Sequence, residues 1–142
     1  MSALEPYVFF DGDCAEAMAT YQGCFGGTLT LVRVGDLPSP PPGNPRTDLI
    51  TYARLVAGDL IFSGSDWLAT SRERRVGTNI ALLVTAPDLA TLDRYFSTLE
   101  EGGPTDERQS PSEMSFGTYG ALTDRFGVRW MFRAPLAEKA GD

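Results

Sequence analysis

Side chains that carry acid–base or nucleophilic chemistry are scarce in this chain, which has 142 residues, two cysteines and no histidine. Without an imidazole, a Ser-His-Asp triad and a Cys-His nucleophile are both excluded. The usual proton carrier near neutral pH is missing as well. Cys14 and Cys24 fall on one predicted helix, where ten residues span about 15 Å, too far for a disulfide. We therefore expect both to be small packing residues.

Composition also argues against nucleic acid and phosphate-loop chemistry. The net charge of −7 disfavours a phosphate backbone, which is bound by clustered Lys and Arg. The basic residues at 72–75 are interrupted by Glu73, and we interpret them as a solvated loop. The glycines at 23–27 end a predicted helix instead of starting one, so they do not form a phosphate-binding loop.

The first half of the chain predicts a strand followed by a helix. Residues 7–10 are aromatic and β-branched, as in a strand. Asp13 is the expected helix cap, and Glu16, three residues later, completes a capping-box pattern. The pair Gly26-Gly27 ends the helix. Its buried face is expected to contain Met18, Tyr21 and Phe25.

The same pattern restarts in the second half. Residues 79–85 predict a strand, and Asp88 is the expected cap of the next helix. The pair Gly102-Gly103 ends that helix. Its expected buried face consists of Leu89, Leu92, Phe96 and Leu99.

Further strands and loops complete each half. The predicted strands lie at 28–34, 48–57 and 60–65 in the first half and at 119–124 and 128–133 in the second. Expected loops are 35–47, with five of the ten prolines, 66–77 and 106–117. Although only two strands are located after the second helix, we interpret each half as a copy of one module, a strand, a helix and then three strands. A single domain, 1–142, would thus contain modules at about 5–66 and 78–134.

Several stretches resemble the PhnB-like proteins. They are Pro6-Tyr-Val-Phe-Phe-Asp-Gly-Asp-Cys-Ala-Glu-Ala-Met18, Phe25-Gly-Gly27, Ser65-Asp66, Asn79-Ile80, Gly102-Gly103 and Tyr119-Gly-Ala-Leu-Thr-Asp-Arg-Phe-Gly-Val-Arg-Trp130. This group belongs to the vicinal oxygen chelate superfamily, with glyoxalase I and the bleomycin-resistance proteins. The resemblance implies an α+β fold in which two βαβββ modules form a cupped mixed sheet with helices on the outer face. It also implies a homodimer.

The resemblance further implies where a divalent metal would be bound. The superfamily's His and Glu ligands correspond to positions near Pro6 or Tyr7, at Asn79 and at Met131, and to a fourth at 64–66. The first three positions offer no imidazole or carboxylate, and an amide and a thioether are poor ligands for a hard cation. We therefore expect no metal and no cofactor. Some relatives carry a demethylubiquinone methyltransferase label, but no glycine-rich turn for a nucleotide-like methyl donor is evident.

Strand alternation predicts which side chains face the cup. The expected ligand-binding residues are Tyr7, Phe9, Tyr52, Arg54, Asp66, Asn79, Tyr119, Arg129 and Met131. In this set the arginines would hold an anion and Asp66 a cation. The alternative is structural: the arginines pair with acids across the sheet, and Asp66 ends a strand. Trp130 is expected in the core.

Three functions are compatible with such a cup. The first is a metal-free protein that binds a small organic molecule, uncharged or cationic because the chain is acidic. The alternative is an enzyme of lyase, isomerase or dioxygenase type with atypical or absent metal ligands. The third is a scaffold whose cup is filled by Met131, Phe9 and Leu83. Because no apolar run approaches the roughly 18 residues of a membrane span and no secretion signal is evident, we expect a cytoplasmic protein without membrane or nucleic-acid partners.

Overall fold

The computed structural model describes residues 1–38 and 46–136. Internal contacts divide the chain into unit 1, Met1–Arg75, and unit 2, Val76–Asp142. Within the described residues, no helix is long and apolar enough to cross a membrane. The predicted loop at 35–47 falls largely on residues 39–45, which lie outside the described residues.

Unit 1 is a four-stranded mixed sheet with one helix. Its elements are β1 (Tyr7–Phe10), α1 (Cys14–Phe25), β2 (Thr28–Arg33), a 3₁₀ turn (Val34–Asp36), β3 (Ile50–Ala57) and β4 (Leu60–Asp66). The strand order is β1-β4-β3-β2. β1 runs parallel to β4, and the other neighbours are antiparallel.

Unit 2 repeats this arrangement. Its elements are β5 (Leu82–Thr85), α2 (Leu89–Glu100), a 3₁₀ turn (Thr105–Glu107), β6 (Gln109–Met114), β7 (Gly117–Thr123) and β8 (Arg129–Ala134). The strand order is β5-β8-β7-β6, with β5 parallel to β8. Each unit is therefore a βαβββ module with its own mixed sheet, and the predicted α+β duplication is confirmed.

The core of unit 1 lies between α1 and one face of its sheet. Met18 and Tyr21 on α1 are fully buried, as predicted. The Tyr21 ring lies 5.1 Å from the ring of Phe62 on β4 and 6.3 Å from that of Phe10 on β1. Because side chains alternate along a strand, the neighbours of Phe10 and Phe62 point to the opposite side, here called the open face of unit 1.

In unit 2, α2 packs on the sheet in the same way. Phe96 is buried with its ring 6.3 Å from that of Phe132 on β8, and Trp130 stacks on Phe132. Trp130 is thus a core residue, as expected. Leu89 is exposed, so that part of the predicted apolar face is wrong. Residues that alternate with Trp130 and Phe132 form the open face of unit 2.

The two helices begin differently. The Asp88 carboxylate accepts a hydrogen bond of 2.7 Å from the Thr91 amide, confirming the predicted cap of α2. In α1, however, the Asp13 side chain makes no capping bond, so the predicted capping box is wrong. The amide of Cys14 instead donates to Asp66 Oδ1 at 2.9 Å.

Gly27 allows the chain to turn closely from α1 into β2. The amide of Gly26 donates to the Gln22 carbonyl, and both glycines have positive φ angles of 76° and 87°. A Cβ atom at Gly27 would lie 2.2 Å from the Val56 carbonyl oxygen. The predicted glycine stop of α1 is therefore confirmed, with close strand packing as its second reason.

Two strand predictions in unit 2 need correction. β6 lies inside the stretch predicted to be a loop at 106–117. It is an edge strand with one neighbour, so it tolerates Pro111 and a largely exposed polar sequence. β5 begins at Leu82 and not at residue 79, which leaves Asn79 in the irregular segment before the strand.

Candidate functional site

The open face of unit 1 presents a cluster of exposed aromatic rings. Tyr7, Phe9 and Tyr52 are between 40% and 45% exposed. The rings of Tyr7 and Phe9 lie 5.1 Å apart. β1 pairs with β4 so that Tyr7 is opposite Ser63 and Phe9 opposite Ser65, two buried hydroxyls on the same face. The structure therefore brings these three predicted aromatic residues together.

Trp67 extends this cluster from the segment that follows β4. Its ring meets Phe9 edge-on at 5.2 Å, and the Arg72 guanidinium lies 5.1 Å from its centre. Arg74 Nε donates a hydrogen bond of 2.8 Å to the Phe9 carbonyl. The basic stretch at 72–75, interpreted as a solvated loop, thus contacts β1. The position of Trp67 directly after Asp66, a predicted site residue at the end of a strand, could have indicated this contact from the sequence.

Arg54 is paired with a carboxylate that sequence reasoning did not single out. Its Nε and Nη2 atoms each lie 3.4 Å from an oxygen of Glu5, and Ser63 Oγ donates to the same carboxylate at 2.7 Å. The hydrogen bond from Ser63, and then that from Arg54, lowers the pKa of Glu5. Both charged groups are more than a third exposed, so this is a weak surface pair.

Asp66 does not lie on the open face of unit 1. The side chain is buried on the helix side of the sheet, where Oδ1 accepts from the Cys14 amide and Oδ2 from the Ile50 amide at 2.8 Å. Both oxygens thus secure backbone groups that would otherwise be buried without partners. We therefore remove Asp66 from the expected ligand contacts.

The two cysteines have packing roles. Both lie on α1 and are buried thiols. Burial, followed by the Asp66 and Asp13 carboxylates, raises the pKa of the Cys14 thiol to about 12. Because the thiolate is the reactive form, Cys14 is unsuited to nucleophilic chemistry.

The open face of unit 2 contains a pocket of about 490 Å³. Tyr119 and Met131, both predicted site residues, line it together with side chains of the unpredicted β6 and of the turn after it. The lining residues are Gln109, Ser110, Ser112, Met114, Phe116, Tyr119, Gly120, Ala121 and Met131. Phe116 contacts the Tyr119 ring edge-on at 5.2 Å. Met114 and Phe116 were missed because the sequence predicted a loop there.

Of the remaining predicted residues in unit 2, Arg129 lies near this pocket and Asn79 lies outside the sheet. Arg129 is on β8, two residues before Met131 and on the same face. Its Nη1 atom donates to the Glu107 carbonyl and lies 3.4 Å from Thr123 Oγ1. Asn79 is exposed in the irregular segment before β5, and it does not occupy the predicted strand position.

The donor set does not fit the metal centre that the superfamily resemblance implies. Across residues 1–38 and 46–136, no group of three or more His, Cys, Asp and Glu side chains is close enough to hold an ion. Asp66, the carboxylate nearest to an implied ligand position, is engaged by two backbone amides. A thioether at Met131 and an amide outside the sheet at Asn79 are poor replacements for imidazole or carboxylate.

Comparisons with known proteins agree with this architecture. A family model described as 3-demethylubiquinone-9 3-methyltransferase matches residues 2–132. Protein YjdN from Escherichia coli is 27% identical over 140 residues, covering 90% of this chain and 92% of its own length.

Solved structures show the same fold. Protein PA1353 from Pseudomonas aeruginosa is 30% identical with a TM-score of 0.83, covering 95% of this chain and 98% of its own. A PhnB protein from Bacillus cereus is 20% identical with a TM-score of 0.73, covering 94% and 99%. Structures of the glyoxalase, bleomycin-resistance and fosfomycin-resistance type share the fold alone, at 16% and 13% identity and TM-scores of 0.60 and 0.62.

Proposed function

We propose that this chain, which belongs to the 3-demethylubiquinone-9 3-methyltransferase family of PhnB-like proteins, binds a small organic molecule on the open face of unit 2. The observation that carries this proposal is the pocket lined by Met114, Phe116, Tyr119 and Met131. Its volume of about 490 Å³ falls within the range of small-molecule sites. We keep the aromatic cluster of unit 1 as a second proposed binding surface.

The exposed apolar side chains support this proposal. Met131, Met114 and Phe116 are 37%, 47% and 71% exposed. Covering what remains exposed of three such side chains contributes roughly 2–4 kcal/mol, since full burial of one contributes about 1.5–3 kcal/mol. That corresponds to a Kd of about 1 mM or weaker for the apolar contacts alone. Tight binding therefore requires a polar contact as well.

Binding is favoured over catalysis by what lines the pocket. Tyr119 is its one titratable lining side chain among the described residues, and no carboxylate accompanies it. General acid–base catalysis needs a proton donor or acceptor within hydrogen-bond reach of the ligand. Tyr119 is therefore the one candidate proton donor of this pocket among the described residues, and it has no carboxylate base beside it.

The methyltransferase description of the family is not part of this proposal. The strand-to-helix turns at 11–13 and 86–88 lack the glycine-rich pattern that holds a nucleotide-like cofactor. A scaffold with a filled cup is also disfavoured, because Met131, Phe9 and Leu83, the expected filling residues, are all exposed.

Methyl-labelled methionine provides a direct test by NMR, because the chain has four methionines. Met114 and Met131 line the pocket, whereas Met18 is fully buried in unit 1 and Met1 is fully exposed. We expect phenol, indole and similar uncharged aromatic compounds to shift the Met114 and Met131 methyl signals saturably. Met18 and Met1 serve as internal controls.

Two outcomes would refute this function. One is the absence of any saturable shift at Met114 and Met131 across the compound series. The other is an equal shift at all four methyl groups, which would indicate non-specific association. A Met131→Ala variant should weaken binding without unfolding the protein, because this side chain is partly exposed.

A further inference from the structure

A second depression adjoins the apolar pocket. It has a volume of about 960 Å³ and lies at the end of the sheet of unit 2, between the α2–β6 connection and the β7–β8 turn. Gln109 lines both depressions. The side chains of Arg108, Arg125 and Arg129 also line the second one. The two depressions therefore share a lining residue but differ in character: the first is mostly apolar, whereas the second is lined by three arginines and three carboxylates.

Arg129 lines the second depression and lies on the strand that contributes Met131 to the first. It lies two residues before Met131 on the same face of β8, which corresponds to about 7 Å along a strand. Its guanidinium is held by neutral acceptors, the Glu107 carbonyl and Thr123 Oγ1. Among the described residues, no carboxylate lies within ion-pair distance of Arg129. The two neutral acceptors thus hold the guanidinium in place, and no carboxylate of the described residues neutralises it at close range.

Arg108 is also held mainly by backbone oxygens. Its Nη2 atom donates to the carbonyls of Glu100 and Gly103 at the end of α2. The Glu100 carboxylate lies 3.8 Å from Nη1, at the outer limit of an ion pair. Arg108 thus adds a second guanidinium that is only weakly neutralised.

The acidic residues of this depression do not cancel the arginines at close range. The buried Asp124 carboxylate accepts hydrogen bonds from the Phe126 and Val128 amides and from Trp130 Nε1, at 2.9, 3.0 and 2.9 Å. Its charge is therefore used within the turn. Asp106 and Glu107 are exposed to solvent, which screens their charge.

We infer that the two depressions together bind an amphipathic organic oxyanion. Its apolar body would cover Met131 and Tyr119, and its carboxylate or phosphate group would accept hydrogen bonds from Arg129. Guanidinium matches the geometry of both groups. This inference rests on the proposed function, because it uses the same apolar pocket.

The charge preference differs from the one expected from the sequence. The net charge of −7 suggested an uncharged or cationic ligand. At physiological ionic strength, however, exposed charges are screened beyond roughly 8 Å. For a ligand in direct contact with Arg129, this guanidinium therefore outweighs acidic residues elsewhere on the chain. Of the three carboxylates that line the same depression, none lies within ion-pair distance of Arg129.

Calorimetry and methionine-methyl NMR with four probes test the inference: phenol, phenylphosphate, benzoate and inorganic phosphate. We expect phenylphosphate to bind at least about tenfold more tightly than phenol and than inorganic phosphate, a ratio that corresponds to about 1.4 kcal/mol of additional binding free energy. Benzoate distinguishes a carboxylate site from a phosphate site: the anion whose affinity exceeds that of phenol by the larger factor identifies the preferred group.

Substitution of Arg129 locates the anionic group. Arg129→Gln should remove the advantage of phenylphosphate over phenol and leave phenol binding unchanged. Arg94→Gln is the matched control, because it removes an equal charge from the exposed side of α2, and it should preserve the advantage. Circular dichroism confirms that both variants are folded.

The possible failures are distinguishable. If phenol binds as tightly as both aromatic anions to the unmodified protein, the inference is wrong and the proposed function stands. If inorganic phosphate equals phenylphosphate, the two depressions do not act together and the inference is likewise wrong. If no aromatic probe binds, the proposed function fails with it.

Discussion

The two units share one order of elements but secure the start of their helices over very different distances in sequence. In unit 2, Asp88 caps α2 through the amide of Thr91, three residues away. In unit 1, the amide at the start of α1 is bound by Asp66, 52 residues away. The same module can thus be stabilised locally or by long-range contacts, and only the local solution is visible as a sequence motif.

The buried aspartates repeat this contrast. Asp66 connects the end of β4 to the first residues of α1 and β3. Asp124 binds the amides of Phe126 and Val128 and the indole of Trp130, all within six residues. Unit 1 therefore depends on one carboxylate for its tertiary connections, whereas the carboxylate of unit 2 organises a turn.

The largest expected effect is that of Asp66→Ala. Removing the carboxylate leaves the Cys14 and Ile50 amides buried without acceptors. Because each hydrogen bond to a charged group contributes about 1.5–3 kcal/mol, loss of the two should lower the free energy of unfolding by roughly 3–6 kcal/mol. Urea denaturation measures this change. The free energy of unfolding of the Asp66→Asn variant should lie between those of the unmodified protein and Asp66→Ala, since the oxygen of the new amide can accept from one of the two donors. A loss below about 1 kcal/mol would contradict the long-range role of Asp66.

A smaller effect is expected for Trp130→Phe in unit 2. The substitution keeps an aromatic ring in the core but removes the indole donor to Asp124 Oδ2. Asp124 still accepts from the Phe126 and Val128 amides, so the free energy of unfolding should fall by only about 1.5–3 kcal/mol. A loss equal to that of Asp66→Ala would show that the buried carboxylates of the two units are equally critical.

The smallest effect compares the predicted cap that forms with the one that does not. Asp88→Ala should destabilise the protein measurably but less than Trp130→Phe, whereas Asp13→Ala should change little. Hydrogen bonds from the Thr91 side chain and backbone lower the pKa of Asp88. Its stabilisation is therefore present above the ordinary carboxyl pKa and is lost as pH falls through the lowered value. The denaturation curves of the unmodified protein and of Asp88→Ala should therefore begin to approach each other below about pH 4, the ordinary carboxyl pKa, and should converge only below the lowered value. Equal losses for both alanine variants would contradict the structure.

Much of the fold could be predicted because its signals are local. The Asp88 cap, the glycine pairs after both helices and the alternation along most strands each depend on residues a few positions apart. The duplicated order of elements follows from these signals. Asp13 shows the limit of such local signals. The sequence around it has a capping pattern, but the amide at the start of α1 is bound by the distant carboxylate of Asp66 instead.

The mistaken elements have physical reasons. β6 has one neighbouring strand and is largely exposed, so it lacks the apolar alternation that marks a strand. The apolar run at 79–85 was assigned to a strand throughout, but pairing with β8 begins at Leu82. Strand length is set by the partner strand, which no local pattern contains.

The strand face of a side chain could be predicted where alternation decides it. Tyr7, Phe9, Tyr52, Tyr119 and Met131 lie on the faces expected from their strands. Contacts from outside the predicted strands were missed. They are Glu5 before β1, Trp67 after β4, and Met114 and Phe116 in and beside β6.

The connections made by Asp66 also bear on the order of folding events. The cap at the start of α2 joins residues three positions apart, so it can form as soon as the helix nucleates. The start of α1 is complete only after residues separated by 52 positions have met. Long loops must close before such contacts stabilise the chain, and this slows their formation. The second module should therefore acquire its helix early on the folding pathway, and the first should acquire its helix late.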